Sequence, residues 1–146
     1  MNRKINNNIH QINYLTSEMN ALYHHASLKL GITDSISIVL YNIYDAGEET
    51  CLLSDIYKKT GINKQTVNTA IRSLEKDGIL YLEQYTGRSK KVVLTEKGKI
   101  YAEETVGKLY QAEVNAFGSW TEDEINTYIQ LMEKYAECLR EQVEKL

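Results

Sequence analysis

The sequence predicts a mainly α-helical protein with one small β-hairpin. Apolar residues recur every three or four positions along both ends of the 146-residue chain, which is the spacing of amphipathic helices. Proline is absent, so nothing in the composition prevents those helices from being long. Between residues 79 and 94 the apolar spacing falls to about two, which is typical of β-strands. A turn that contains glycine separates the two strands, and we therefore expect a hairpin.

Length and composition favour a single domain covering residues 1–146. Hydrophobic residues make up 42% of the chain, as in ordinary folded proteins. No apolar run approaches the roughly 18 residues that cross a bilayer, and the N-terminus lacks the apolar core of a signal peptide. We therefore expect a cytoplasmic protein without a membrane partner. The two cysteines, Cys51 and Cys138, are far apart, so we predict neither a disulfide framework nor a metal site, and no cofactor.

Basic charge is concentrated in one segment of the chain. Residues 58–99 contain ten basic and four acidic side chains, which is a net charge of +6, whereas the whole chain carries −3. The rest of the chain therefore sums to −9. This distribution predicts a polyanionic partner for residues 58–99.

The first predicted helix runs from Ile5 to Leu30. Its apolar residues follow one another at steps of three or four: Ile5, Ile9, Ile12, Leu15, Met19, Leu22, Ala26 and Leu30. This apolar row is too long to cover only a small core. We therefore predict that it packs on a second copy or on the C-terminal helix, with Ile9 and Ile12 in a dimer interface. The alternative is that this helix only covers the core of its own chain.

Three shorter helices are predicted next. The second helix begins at one of three capping residues, Thr33, Asp34 or Ser35. It ends at Gly47. The third helix runs from Leu52 to Lys59 and turns at Gly61 into a fourth. Two short helices joined by a turn with glycine are the signature of a helix-turn-helix.

The fourth helix has one apolar face and one polar face. It begins after the capping residue Asn63, places Val67, Ile71 and Leu74 on the apolar face, and stops at Gly78. The polar face carries side chains suited to phosphates or base edges: Lys64, Gln65, Thr66, Asn68, Thr69 and Arg72. This face predicts a helix that binds DNA.

Position and chemistry divide five of these six residues. Lys64 and Thr66 lie at the helix start, where the helix dipole is positive, and are assigned to phosphates. Gln65, Asn68 and Arg72 are assigned to bases, since Gln and Asn match adenine and Arg matches guanine.

The predicted hairpin follows directly. Its strands cover residues 79–85 and 92–94, and they are joined by "TGRSKK", which contains Gly87 and three cations. A basic hairpin tip beside a DNA-binding helix is a wing that can touch the DNA backbone or the minor groove. We assign Arg88, Lys90 and Lys91 to this contact. Solvated charges on an ordinary exposed loop are the alternative.

Two further helices are predicted at the C-terminal end. Thr95 caps a helix that runs to about Phe117, where Gly118 and Ser119 break it. Thr121 opens the last helix, with Glu124 completing a capping box. Its apolar residues form a heptad row, and five of them are assigned to a dimer interface: Ile125, Ile129, Met132, Leu139 and Val143.

Three segments carry the resemblance to a known family: "LGIT" at 30–33, "LLSDIYKKTGINKQTVNTAIRSLEKDGIL" at 52–80 and "VVLTEKGK" at 92–99. With them, the chain resembles the MarR-type family of winged-helix transcriptional regulators. The resemblance implies a winged helix-turn-helix at 34–98, flanked by dimerisation helices at 5–30 and 100–146. It also implies a homodimer that represses or activates promoters at near-palindromic sites, with a ligand crevice between the dimerisation and DNA-binding regions.

The hairpin departs from the family pattern at one point. The family wing commonly carries an Asp followed by two Arg residues, and the matching positions here hold Thr86, Gly87 and Arg88. The pairing of Asp with Arg that supports the family wing is therefore missing, whereas Arg88 is kept.

We predict from these patterns a ligand-responsive repressor that binds double-stranded DNA as a homodimer on a near-palindromic operator. The alternative is a winged-helix adaptor that binds protein and does not recognise a DNA sequence. No catalytic motif is recognisable, and we do not expect an enzyme.

A small-molecule effector of unknown identity would enter the crevice that the resemblance implies. Four residues are candidates for its lining: Tyr23, His24, Tyr41 and Tyr44. Tyrosines at helical spacing are also common in cores and interfaces, and this alternative stays open. Cys51 is placed at the start of the third helix, where a thiol can have a lowered pKa. The redox-sensing relatives usually carry their reactive cysteine in the first helix, which here has none.

Overall fold

The computed structural model describes residues 3–45 and 50–146. These residues form, in chain order, α1 (Arg3–Leu30), α2 (Asp34–Asp45), β1 (Thr50–Leu52), α3 (Leu53–Thr60), α4 (Lys64–Lys76), β2 (Leu80–Gln84), β3 (Lys90–Leu94), α5 (Glu96–Glu104), α6 (Val106–Phe117) and α7 (Glu122–Val143). The strands form one antiparallel sheet in the order β1-β3-β2. The predicted fold class, mainly helical with a small wing, is confirmed. Within the described ranges, no helix is long and apolar enough to cross a membrane.

The chain divides into two compact units, Met1–Leu109 and Tyr110–Leu146. The first unit contains the helix-turn-helix and the sheet. The second contains the end of α6 and all of α7. The single domain at residues 1–146 stays a prediction.

The core of the first unit joins its short helices to the sheet. Its buried apolar residues are Val39, Leu40, Ile43, Ile56, Val67, Ala70, Ile71, Leu74, Ile79, Leu80, Val92, Leu94, Ala102 and Val106. Fully burying one side chain of this size contributes about 1.5–3 kcal/mol. The three predicted apolar positions of α4 are all in this set, so the apolar spacing of α4 decides which of its faces meets solvent.

One of the three predicted capping residues starts α2. The hydroxyl of Thr33 accepts a hydrogen bond from the Ile36 amide at 3.2 Å, which makes Thr33 the capping residue. The helix ends at Asp45. Its predicted end, Gly47, lies outside the described residues.

The strand β1 is absent from the sequence-based prediction. Thr50 to Leu52 pair with β3, with Cys51 opposite Val92, and α3 therefore begins at Leu53. The prediction that Cys51 opens a helix is wrong. A strand of three residues is too short to show an alternating pattern, and its stability comes from pairing with β3, which local sequence does not reveal.

The single helix predicted from Thr95 to about Phe117 is two helices. The break lies at Thr105, whose backbone has φ −114° and ψ −91°. Thr105 is buried, and its hydroxyl donates to the Tyr101 carbonyl at 2.7 Å, a bond that competes with the regular helix. Apolar residues keep their helical spacing across Thr105, and for this reason the pattern does not show the break.

A tight joint links the end of α4 to the start of α5. The hydroxyl of Thr95 donates to the Gly78 carbonyl at 2.6 Å and accepts from the Gly98 amide at 2.9 Å. A Cβ on Gly98 would stand 1.8 Å from the carbonyl oxygen of Ile79. The "TEKG" segment therefore contains one residue that caps α5 and one that must lack a side chain.

In the second unit, the capping box that starts α7 is confirmed. The Thr121 hydroxyl accepts from the Glu124 amide, and the Glu124 carboxylate accepts from the Thr121 amide, both at 3.2 Å. Three aromatic rings pack around the turn before α7. The Trp120 centroid lies 4.9 Å from Phe117 and 5.6 Å from Tyr128. Edge-to-face contacts of this kind hold the turn between α6 and α7.

Candidate nucleic-acid interface

The helix α4 begins and ends where the sequence predicts. Gly61 adopts φ +63° in the turn after α3, and Oδ1 of Asn63 accepts a hydrogen bond from the Gln65 amide at 2.7 Å. At the other end, Gly78 adopts φ +73°. Positive φ strains most side chains but not glycine, so these two glycines mark the turns on either side of α4.

The solvent face of α4 carries the six predicted residues. Five of them are exposed: Lys64, Gln65, Thr66, Thr69 and Arg72. The sixth, Asn68, is half-buried, because its Oδ1 accepts a hydrogen bond from the Tyr57 hydroxyl on α3. This link between Tyr57 on α3 and Asn68 on α4 has no signature in the sequence.

The wing places only one of its three predicted cations in the turn. Gly87 adopts φ +57°, and the Ser89 amide donates to the Thr86 carbonyl at 2.9 Å, so Arg88 lies in the turn. Lys90 and Lys91 are the first residues of β3, so the prediction that they lie at the tip of the hairpin is wrong. The strand continues to Lys90 because Lys90 pairs with Gln84 of β2.

The two lysines of β3 have different surroundings. Successive residues of a strand point to opposite faces of the sheet. Lys90 is exposed, whereas Lys91 is half-buried with its Nζ 5.3 Å from the centre of the Tyr85 ring. Lys90 is therefore the more accessible of the two to a polyanion.

In this wing, Gln84 supports the turn, a role that the family pattern gives to an Asp. Nε2 of Gln84 donates a hydrogen bond to the Gly87 carbonyl, across the wing turn. The bond fixes the backbone next to Arg88. The family pattern shows that the Asp is missing from this wing. It does not show that Gln84 supports the turn, because Gln84 is not one of the positions of that pattern.

Several cations of the basic segment are available for an anion. Within residues 3–45 and 50–146, no carboxylate forms an ion pair with Arg72, Arg88 or Lys90. Lys97 instead donates to the Asp77 carbonyl at 2.8 Å, and Lys99 pairs with Glu96 at 2.8 Å. In the described ranges, the cations without a carboxylate partner thus include Arg72 on α4 and Arg88 and Lys90 of the wing, whereas Lys97 and Lys99 on α5 are engaged.

The residues assigned to a dimer interface are exposed apolar side chains. In the first unit, Ile9 and Ile12 on α1 are 47% and 46% exposed. In the second unit, α7 exposes four and half-buries one: Ile129, Met132, Leu139, Val143 and, half-buried, Ile125. A row of exposed large apolar residues marks an interaction surface.

The four candidate crevice residues lie on α1 and α2. Tyr23 and His24 are exposed on α1, and Tyr41 and Tyr44 are half-buried against the core. Nδ1 of His24 donates to the Asp34 carboxylate at 2.7 Å. The Tyr44 hydroxyl donates to the Glu103 carboxylate at 3.3 Å.

The thiol of Cys51 has the opposite character from that of a reactive cysteine. Burial raises its pKa to about 11, and nearby Lys59 lowers it only in part. At neutral pH Cys51 is therefore a protonated thiol with little nucleophilic character. It lines an open groove of about 360 Å³ beside the wing. Among the described residues, no group of three or more His, Cys, Asp or Glu side chains is arranged to hold a metal ion.

Comparisons with known proteins agree with this architecture. The sequence model of the MarR family matches residues 30–89. A MarR family regulator from Neisseria meningitidis superposes with a TM-score of 0.75 at 19% identity, covering 92% of this chain and 97% of that one. A MarR family transcriptional regulator from Listeria monocytogenes in complex with 26mer DNA gives 0.69 at 20%, with coverages of 92% and 89%.

A third similar structure comes from a protein controlled by a small molecule. Bordetella bronchiseptica BpsR, whose DNA binding is regulated by 6-hydroxynicotinic acid, gives a TM-score of 0.65 at 23% identity, with coverages of 86% and 98%. Comparison with curated protein sequences gives no significant match.

Proposed function

Because the chain is a MarR-type winged-helix protein, we propose that it is a sequence-specific, DNA-binding transcription regulator that acts as a homodimer. The observation that carries the proposal is the exposed polar face of α4, whose Arg72 lacks a carboxylate partner in the described ranges, next to a wing with two further unpaired cations. Such a surface suits the phosphates and base edges of double-stranded DNA.

In this proposal, DNA recognition requires a dimer. Two copies of α4 placed about 34 Å apart enter successive major grooves on one face of the duplex. The operator is then near-palindromic. The exposed apolar rows of α1 and α7 support dimerisation, since burying them against a second copy removes apolar surface from water.

The residues of the interface have distinct roles. Lys64 and Thr66 bind phosphates at the positive end of α4. Gln65 and Arg72 read base edges in the major groove. In the wing, Arg88 reaches the minor groove or the flanking backbone, and Lys90 adds affinity that does not depend on sequence.

We also propose that the regulator is a repressor that responds to a small molecule. The effector would enter a crevice bordered by α1 and α2, where Tyr23, His24, Tyr41 and Tyr44 lie. The likeness to BpsR supports an effector without identifying it.

Arg72→Ala is expected to weaken binding by roughly 1–3 kcal/mol for each half-site and to relax discrimination at one base pair of each half-site. The guanidinium makes two parallel hydrogen bonds to guanine, which alanine cannot replace. Gel-shift titration of the operator and its single-base variants measures both effects. The control is Arg72→Lys, which keeps the positive charge but lacks the two parallel N–H donors of the guanidinium. This variant should lose base discrimination and should lose less affinity than Arg72→Ala. Unchanged operator affinity of Arg72→Ala would refute the assignment.

Lys90→Ala is expected to weaken binding to all sequences alike and to reduce the slope of log K against log salt by about 2, about 1 for each copy in the homodimer. The reason is that the ammonium neutralises a phosphate and reads no base. Fluorescence anisotropy at several salt concentrations, on operator and unrelated DNA, measures the slope. Lys145→Ala, outside the basic segment, is the matched control and should change neither quantity. A loss confined to the operator would contradict this role.

The proposed function is tested by selection from random double-stranded DNA. The protein should first be retained on heparin and elute with salt, and it should then enrich a near-palindrome. Failure to enrich any sequence would favour the protein-binding adaptor.

A further inference from the structure

One aromatic side chain on α3 contacts two of the residues assigned to DNA on α4. Tyr57 is half-buried and packs against the core. Its hydroxyl donates a hydrogen bond to Oδ1 of Asn68, and the Nζ of Lys64 lies over its ring, 5.3 Å from the centroid. Tyr57 carries no charge and serves as a link between the core and the DNA-binding face.

We propose that Tyr57 is a positioning residue that decides which hydrogen-bonding group Asn68 presents to DNA. The proposal rests on the proposed function. An asparagine amide has an acceptor oxygen on one side and an NH₂ group with two donors on the other. Because Oδ1 is held by Tyr57, the NH₂ group points away from α3.

The opposite orientation of the amide is disfavoured for a physical reason. It would turn the NH₂ group towards Tyr57 and take the acceptor away from the half-buried hydroxyl hydrogen. The hydroxyl would then accept from the NH₂ group, but its own hydrogen, partly shielded from water, would lose its acceptor, which is destabilising. In the described ranges, the amide nitrogen of Asn68 has no hydrogen-bond partner, so both its hydrogens are available to a ligand.

The outward NH₂ group changes the base preference expected of Asn68. An asparagine that reads adenine uses its oxygen and its NH₂ together. With the oxygen held by Tyr57, Asn68 can only donate, and its partners are the acceptors N7, O6 of guanine and O4 of thymine. Asn68 therefore favours guanine, which presents two acceptors, or thymine, which presents O4, over cytosine, whose hydrogen-bonding group in the major groove is an amino donor; adenine, with N7 beside its amino group, lies between them.

Tyr57→Phe tests this proposal with a minimal change. The ring stays, which preserves core packing and the contact with Lys64, but the hydroxyl is lost and the amide can turn. The preference for an acceptor-bearing base at one operator position is expected to fall about 2- to 10-fold, the worth of one hydrogen bond. Binding to unrelated DNA and its salt dependence should stay constant, since no charge changes. Competition titration with all four base pairs at each half-site position measures this.

A double-mutant cycle separates positioning from a general structural effect. In an Asn68→Ala background, Tyr57→Phe should leave the base preference unchanged, because the residue it acts through is gone. If Tyr57→Phe lowers the preference equally in both backgrounds, Tyr57 does not act through Asn68 and the proposal is overturned.

An NMR measurement tests the proposal without DNA. The side-chain amide of Asn68 should be rigid in the unmodified protein and more mobile in Tyr57→Phe, as measured by ¹⁵N relaxation of Nδ2. Equal mobility in both proteins would overturn the proposal. If the unmodified protein selects no DNA sequence but its Asn68 amide is rigid and loosens in Tyr57→Phe, the proposed function fails while the orientation of Asn68 stands.

Discussion

Gly98→Ala is expected to lower the free energy of unfolding by about 3 kcal/mol or more. The new Cβ would stand 1.8 Å from the Ile79 carbonyl oxygen, a backbone atom that cannot rotate out of the way. That carbonyl also accepts a hydrogen bond from the Thr95 amide at 3.0 Å, so relief of the clash would break the joint between α4 and α5. Urea unfolding followed by circular dichroism, at one fixed protein concentration, measures the change.

The matched control is another buried glycine in a helix. A Cβ on Gly107 of α6 would lie 3.1 Å from the flexible end of Glu103 and 3.3 Å from the Ala102 carbonyl oxygen. Alanine also favours a helix over glycine by about 1 kcal/mol. Gly107→Ala should therefore stay within about 1 kcal/mol of the parent protein. Equal stability of the two variants would show that the joint is not as tight as the geometry indicates.

Leu139→Glu is expected to convert the protein to monomers and to abolish operator binding at concentrations that saturate the parent. Leu139 lies in the middle of the heptad row of α7 and is 45% exposed. In a dimer interface, a carboxylate at this position would be buried without a partner, which costs several kcal/mol. Light scattering gives the mass in solution, and gel-shift titration gives the DNA affinity.

A second leucine on the same helix supplies the control. Leu131 is 59% exposed but lies outside the heptad row. Leu131→Glu should keep the dimer and the DNA affinity, because it adds the same charge on another face of α7. A Leu139→Glu protein that remains dimeric would refute the role of the row.

Elements with a local signal could be predicted from the sequence. The apolar spacing of α4, its Asn63 cap and the glycines on either side mark the helix that carries the predicted DNA contacts. The capping box of Thr121 and Glu124 marks the start of α7 equally well. In each case the stabilising contacts join residues within one helical turn or the turn next to it.

Features that depend on distant contacts could not be predicted. The strand β1 is three residues long and is held by β3, about forty residues further along the chain. The break at Thr105 comes from a buried hydroxyl, and the surrounding apolar pattern hides it. The hydrogen bond from Tyr57 to Asn68 joins two helices, and its residue types occur in many other contexts.

The central claim is that two α4 helices, held by a dimer, read successive major grooves on one face of DNA. It is tested most directly by inserting five base pairs, about half a helical turn, between the half-sites of the selected operator. The insertion turns one half-site to the opposite face of the duplex. We predict that specific binding is lost, and that a ten-base-pair insertion also abolishes it, because that insertion restores the face but moves the half-sites about one further helical turn apart, beyond the reach of one dimer. Equal binding to the operators with zero and five inserted base pairs would contradict the claim.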